Sequence, residues 1–284
     1  MKPTAKSFIL DLLSTLTRGT MPVAALVESA ALFGIAENSL RVALTRLMSA
    51  RLVERDARGR YRMGAGAEPI ARRVGSWRES ERRLRRWDGT WIGVLEGPRS
   101  DTGAGRRQRS RRERALRLLG LRALTPALAL RPCNLAGGVD AIRGELADLG
   151  LPPGHLVLGL RDLDPVTDAR ARSGWEGESM RAAHRALCAR VEAGIERINR
   201  QPVEHAMTES FLLGGQVIRQ LILDPRLPDE IVPGDDRRAL LDAMRRYDVQ
   251  GRRAWASFLA RFSVPHLRAP LDTRMLAGAN RLAR

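Results

Sequence analysis

The stretch LFGIAENSLRVALTRLMSARLVERDARGRYRMG, residues 32–64, limits most strongly what this chain can fold into. It finishes one apolar helix, continues through AENSLRVALTRLM with helical spacing, and closes on two short runs separated by DARG. Residues 4–17 and 21–33 also place apolar side chains at helical spacing, and Thr20 is a candidate N-cap of the second helix. The pattern predicts three helices followed by a β-hairpin, with Gly59 at the positive-φ position of the turn.

The third helix has two chemically different faces. Its apolar residues share one arc and are expected to pack on the first two helices. The opposite arc has hydrogen-bonding and cationic groups and no acid after Glu37, so it can approach phosphates without repulsion. Arg and Asn side chains can also bind base edges through two hydrogen bonds. The residues of this helix expected at DNA are Asn38, Ser39, Arg41, Val42, Thr45 and Arg46.

The hairpin adds a second basic surface. Tyr61 and Met63 alternate with Arg60 and Arg62, so the two arginines are expected on the face opposite the tyrosine, while Arg58 lies in the loop. Three helices and a basic hairpin are typical of a winged helix-turn-helix, whose third helix enters the major groove and whose wing touches the backbone or the minor groove. The alternative is a winged module that docks a protein.

The distribution of charge favours a polyanion as partner of the front of the chain. The 284 residues carry 49 Lys and Arg against 32 Asp and Glu, and residues 1–132 hold +15 of the resulting +17. Coding bias explains Arg over Lys but not this asymmetry. Two cysteines far apart in sequence, no apolar run long enough for a membrane span and no signal-peptide pattern predict a cytoplasmic protein with no membrane partner.

The middle of the chain predicts a different architecture. Residues 65–88 are expected to form a connecting helix coated with arginines, which is either solvated or in contact with phosphates. Residues 89–165 then read β-α-β-β-α-β, the order of ferredoxin-like domains. Residues 99–117 contain eight arginines and are expected to begin as a charged loop, which is either solvated or a phosphate-binding element.

The C-terminal part is predicted to be helical. DLDPVTDARARSGWEGES, residues 162–179, lacks periodicity and is expected to be a linker, and only helical patterns follow. The fold class is therefore predicted as α+β, with an effector-binding or dimerisation domain of helices at the end. The predicted domains are a winged helix-turn-helix at 1–64, the connecting helix at 65–88, a ferredoxin-like (Cas2-like) domain at 89–165 and an all-helical domain at 166–284.

Residues that could carry catalysis are few. No nucleotide-binding, hydrolase or metalloprotease motif is present. His184 and Cys188 lie four apart on a predicted helix and could reach one metal, but no third ligand suggests itself. Glu96 ends a predicted strand, where either a metal-binding acid or a solvated carboxylate can stand. We expect no catalytic residue, metal or cofactor; the alternative is a Cas2-like metal-dependent nuclease, or an acyl-CoA-processing enzyme, carrying a winged module.

Several segments together resemble the PaaX family of transcriptional repressors. They are the stretch at 32–64 with AEP at 67–69, then WDGTWIGVLEG, RALRLLGLRALTPALALRPCNL and LILDPRLPDEIVPGDDRRAL. The resemblance covers most of the chain in the right order and is weakest at 163–200 and after 263. It implies a cytoplasmic, dimeric bacterial repressor of aromatic-acid (phenylacetate-type) catabolism. Its expected partners are a double-stranded operator, an inverted repeat if the protein is a dimer, and phenylacetyl-CoA or another aryl-CoA as releasing effector, whose binding residues no motif identifies.

Overall fold

The computed structural model describes residues 2–16, 19–67, 71, 74–97 and 103–264, with 103–105 and 107 described by their backbone alone. These residues form nine α-helices and two antiparallel sheets, so the predicted α+β class is confirmed. The chain divides into two compact units. Unit 1 comprises Met1–Gly75, Val191–Gln216 and Met244–Arg284, and unit 2 comprises Ser76–Arg190 and Val217–Ala243. The predicted domain boundaries after residues 64, 88 and 165 stay a prediction.

Unit 1 begins with three helices: α1, Ala5–Ser14; α2, Val23–Ala31; and α3, Glu37–Ser49. Thr4 caps α1, since its side chain accepts the backbone N–H of Ser7 while Ser7 accepts that of Thr4. The predicted N-cap of α2 is wrong, because Pro22 precedes its first turn and makes no side-chain cap. The apolar faces of the three helices form one core, which includes Phe8, Ile9, Leu12, Leu26, Leu40, Leu44 and Leu47.

The predicted hairpin follows α3. Strand β1, Met21–Pro22, pairs antiparallel with β3, Arg60–Met63, which also pairs with β2, Val53–Arg55. Gly59 in the turn has a φ of 75°, as expected. The Asp56 carboxylate stabilises the turn by accepting the backbone N–H groups of Arg58, at 2.9 Å, and of Arg60, at 2.8 Å.

Three long helices from the second half of the chain divide their residues between the two units: α7, Gly177–Arg197; α8, Val203–Leu223; and α9, Asp235–Arg261. Within unit 1 they complete the N-terminal core. The Phe211 ring lies 5.4 Å from that of Phe8 and 5.0 Å from that of Phe33. The indole N–H of Trp255 donates to the Met207 carbonyl, at 3.1 Å.

Unit 2 contains the β-α-β-β-α-β order that the sequence predicts. Its elements are β4, Trp91–Leu95; α4, Gly103–Leu118; β5, Arg122–Ala123; β6, Leu128–Pro132; α5, Gly138–Asp148; and β7, Leu156–Leu160. The sheet has the order β5-β6-β4-β7, and all neighbouring strands are antiparallel. Ile92 and Val94 of the central strand face a core shared with α4 and α5.

Two expectations for the irregular parts need correction. The arginine-rich segment is helical from Gly103, so the charged loop is wrong for its described residues, and residues 98–102 lie outside the described ones. The expected linker at 162–179 contains α6, Pro165–Arg172. Asp164 accepts the N–H groups of Val166 and Thr167 there, and Pro165 needs no partner in the first turn.

The expected connecting helix lies partly outside the described residues, at 68–70 and 72–73. Among the described residues of 65–88, Ala71, Val74 and Gly75 are α-helical, and 3-10 helices span Ala65–Ala67 and Ser76–Arg83. Among the helices that the structure describes, none is long and apolar enough to cross a membrane.

Candidate nucleic-acid interface

The two faces of α3 are separated as the sequence predicts. Leu40, Leu44 and Leu47 are buried in the core of unit 1, and Ala43 and Met48 are half-buried beside them. The opposite side presents only exposed side chains to solvent, and Val42 is the one large apolar residue among them, at 43% exposure. The exposed residues on this face are Asn38, Ser39, Arg41, Val42, Thr45, Arg46 and Ser49.

The polar groups of this face differ in how far they are already engaged. Arg41 donates through Nε to the Glu37 carboxylate, at 2.8 Å, and forms an ion pair with it. The Thr45 hydroxyl donates to the Arg41 carbonyl, at 3.1 Å. Within the described part of the chain, Asn38 and Arg46 make no side-chain hydrogen bond or ion pair. Arg46 therefore offers all its guanidinium N–H groups to a ligand.

The three wing arginines are in different situations. Arg58, at the tip, is exposed, and its guanidinium has no partner among the described residues. Arg60 is half-buried and donates to Thr20, at 2.9 Å to Oγ1 and 3.0 Å to the carbonyl oxygen. Arg62 is exposed but donates to the Glu54 carboxylate, at 3.0 Å and 3.2 Å. Arg60 and Arg62 thus alternate with the buried Tyr61 along β3, but Arg60 is held against Thr20, whereas Arg62 stays exposed.

Two further residues of the hairpin, which the sequence did not indicate, alter the charge of the hairpin. Glu54 lies opposite Arg62 in the β2–β3 register. Its pKa is lowered, because the backbone N–H of Ala65 donates to the carboxylate and Arg62 does so as well, which keeps an anion on the wing. Arg55, opposite Tyr61, is exposed and lies 5.9 Å from the centre of that ring. The pairing of β2 with β3 is the feature that identifies both Glu54 and Arg55.

The metal hypothesis for His184 receives no support from its surroundings. His184 Nε2 lies 3.0 Å from Asp224 Oδ2, and both side chains are almost fully buried in unit 2. Asp224 also lies 3.6 Å from Arg237, which donates to Glu81 at 2.9 Å. Among the described residues, no three His, Cys, Asp or Glu side chains are grouped as metal ligands. His184 thus belongs to a buried network of hydrogen-bonding and ionisable side chains.

Unit 2 also has an open cleft of about 240 Å³. Arg85, Arg86, Arg237 and Arg238 line it together with Trp87, with Asp229 and Glu230 beside them. Arg238 is paired with Asp229 and Asp235, and their hydrogen bonds raise its pKa. Arg86 is exposed and has no side-chain partner in the described part of the molecule. The cleft can therefore receive an anionic group next to an aromatic ring.

Comparisons with known proteins find similarity among solved structures. No protein-family model matches the chain, and no curated protein sequence does so either. Among solved structures, the uncharacterised protein Rv0674 from Mycobacterium tuberculosis is similar, with 25% sequence identity and a TM-score of 0.53. The similarity covers 87% of this chain and 98% of that one. It therefore extends over most of both chains and is not confined to one unit.

Proposed function

We propose that this protein is a DNA-binding transcriptional regulator that reads duplex DNA with the exposed face of α3. The observation that carries the proposal is that this face has no acid after Glu37 and presents Arg46 and Asn38 without side-chain partners among the described residues. Both side chains can make paired hydrogen bonds to purine edges in the major groove. Arg58 at the hairpin tip supplies a cation for the phosphate backbone.

The finer architecture is part of the same proposal. Three helices that share one core, followed by an antiparallel hairpin, support a winged helix-turn-helix in unit 1. The element order and the sheet order β5-β6-β4-β7 support a ferredoxin-like arrangement in unit 2. The long helices at the end of the chain support an all-helical C-terminal region.

The resemblance to PaaX-family repressors gives the regulatory side of the proposal. The chain acts in the cytoplasm as a homodimer, represses aromatic-acid catabolism and leaves its operator when an aryl-CoA thioester binds. One recognition helix reads too few base pairs to find one site in a genome, whereas two copies related by a twofold axis double the reading. The operator is then an inverted repeat. The basic cleft with Trp87 has chemistry suited to an anionic aromatic effector.

Selection of duplexes from a random pool by the full-length protein tests this function. Recovery of a common inverted repeat, with half-sites a whole number of helical turns apart, is the expected result. A pool that stays random after repeated rounds would overturn sequence-specific recognition. A parallel incubation of labelled duplex with magnesium or manganese separates the enzyme alternative, because cleavage would favour a nuclease and retention without cleavage the regulator.

A further inference from the structure

Helix α4 of unit 2 has one buried face and one strongly basic face. Ala115 and Leu116 near its C-terminal end are buried, with Leu119 just beyond, in the core that also holds Ile92 and Val94. The opposite side exposes five arginines: Arg106, Arg109, Arg111, Arg114 and Arg117. We call these five residues the α4 arginine face.

The geometry of the helix places these arginines on one broad surface. At about 100° per residue they occupy an arc of roughly 200° that is centred opposite the buried residues. At about 1.5 Å per residue, Arg106 and Arg117 are separated by roughly 16 Å along the axis. The face is therefore an extended, convex strip of positive charge.

This strip has little compensating charge within the molecule. Glu113 is the one acid among the described residues of α4, and it pairs with Arg109 at 3.2 Å, with both side chains exposed. Arg106, Arg111, Arg114 and Arg117 make no ion pair within the described part of the chain. Arg111 and Arg114, and Arg114 and Arg117, are three positions apart, a spacing at which like charges destabilise a helix. A bound polyanion would relieve this repulsion.

We propose that the α4 arginine face is a second DNA-binding surface, which contacts the phosphate backbone of duplex DNA. The proposal rests on the proposed function, since it takes duplex DNA as the ligand. Duplex DNA carries about one negative charge per 1.7 Å of its axis, so it can neutralise a strip of this length. Contacts of this kind add affinity without sequence preference.

The composition of the α4 arginine face favours the phosphate backbone of duplex DNA over other anionic ligands. The sequence of α4 contains no aromatic residue, whereas surfaces for single-stranded nucleic acids stack bases on aromatic rings. The apolar side of α4 is buried in the core of unit 2, so it is not available for insertion into a lipid interface. Small ligands bind in concave sites, and a convex helix face is not one.

The test is the salt dependence of duplex binding by the full-length variant with Arg106→Gln, Arg114→Gln and Arg117→Gln. Gln has nearly the helix propensity of Arg, so α4 should keep its fold, which circular dichroism checks. The slope of log K against log salt is negative, and each lost phosphate contact reduces its magnitude by about 0.9. For three lost contacts we expect the magnitude of the slope to fall by about 2 to 3. The matched control carries Arg170→Gln, Arg200→Gln and Arg219→Gln, three exposed arginines elsewhere, and should keep the wild-type slope.

The possible results separate this inference from the function on which it rests. A wild-type slope in the α4 variant, with DNA binding retained, would overturn the inference and leave sequence-specific binding through α3 intact. Equal decreases in the α4 variant and the control would mean that net charge alone acts, which also overturns it. No duplex binding by the wild-type protein would overturn both proposals. Binding of the wild-type protein, but not the α4 variant, to phosphatidylserine vesicles together with an unchanged DNA slope would assign the face to membranes instead.

Discussion

Glu37 and Arg41 form an ion pair across one turn of α3, with 2.6 Å between Arg41 Nη2 and Glu37 Oε1, at the start of the exposed face of that helix. Both side chains are more than half exposed, so the pair contributes little to stability, typically about 0–1 kcal/mol. We expect it to matter more for DNA binding. It holds one of the two arginines of the face against an acid, while Arg46 has no side-chain partner in the part of the chain that the structure describes.

Replacing Glu37 by Gln should therefore strengthen binding to any duplex at low salt. The change releases the Arg41 guanidinium and removes a negative charge that faces the phosphates. We expect an increase in affinity of severalfold, which disappears at high salt because exposed charges are screened. Fluorescence anisotropy at several salt concentrations measures it. Glu176→Gln, an exposed change of equal charge in unit 2, is the control, and an equal gain there would show that net charge alone is responsible.

Arg46→Ala and Arg58→Ala should weaken DNA binding in different ways. Loss of a paired contact to a base costs about 1–3 kcal/mol at the preferred site and reduces discrimination between sequences. Loss of the phosphate contact of Arg58 should weaken binding to all duplexes about equally. It should also reduce the magnitude of the slope of log K against log salt by about 1. Affinities for a selected and a scrambled duplex separate the two effects. If Arg46→Ala lowers both affinities by the same factor, α3 does not read bases.

Arg60→Ala should act on folding and not on DNA binding. The Arg60 guanidinium donates to the side chain and the backbone carbonyl of Thr20, and so connects β3 to the segment before α2. Hydrogen bonds from a charged group contribute about 1.5–3 kcal/mol each, and this change removes these two and a longer one, of 3.4 Å, to the Ser263 carbonyl. We expect a lower urea midpoint than for Arg58→Ala, because the exposed Arg58 side chain has no such contact with the described residues. Equal midpoints, together with weaker DNA binding by Arg60→Ala, would instead place Arg60 on the DNA.

The spacing of apolar residues predicts those parts of the fold in which buried side chains recur regularly along one helix or strand. The two faces of α3 follow from the spacing of Leu40, Leu44 and Leu47, because packing against one core selects one side of a helix. The turn at Gly59 follows from local backbone sterics, which depend on that residue alone. These features need no knowledge of distant parts of the chain.

Contacts between distant segments could not be predicted in the same way. Arg60 and Arg62 occupy equivalent places in the sequence pattern, yet Arg60 meets Thr20, forty residues away, and Arg62 meets Glu54 across the hairpin. Which arginine is held depends on the pairing of β1 with β3, and a two-residue strand has no periodicity. The segment around Asp224 separates α8 from α9, and its burial follows from its packing inside unit 2.

Asp224 is a buried carboxylate of unit 2, and its titration should change the free energy of unfolding. Burial, the largest effect, raises its pKa, but the contact with His184 and the charge of Arg237 outweigh burial and hold the pKa of this carboxyl below its usual value. The backbone N–H of Arg226 also donates to Asp224 Oδ1, at 2.6 Å. The carboxylate is therefore the anion that compensates the buried Arg237 together with Glu81.

Asp224→Asn should destabilise the protein at neutral pH and progressively less in acid. Removing one partner of a buried ion pair typically costs about 3–5 kcal/mol, because the other charge stays buried. The folded-state pKa lies below that of the unfolded chain, so the contribution of the carboxylate is complete above the unfolded value, about 3.9, and is lost as the pH falls below it. Urea unfolding of both proteins over this range measures the difference in free energy of unfolding, which should shrink towards acid.

Asp140→Asn, at an exposed carboxylate on α5, should show no comparable loss at neutral pH. A difference between wild type and Asp224→Asn that stays constant with pH would mean that the side chain acts through its shape and hydrogen bonds and that its charge does not contribute.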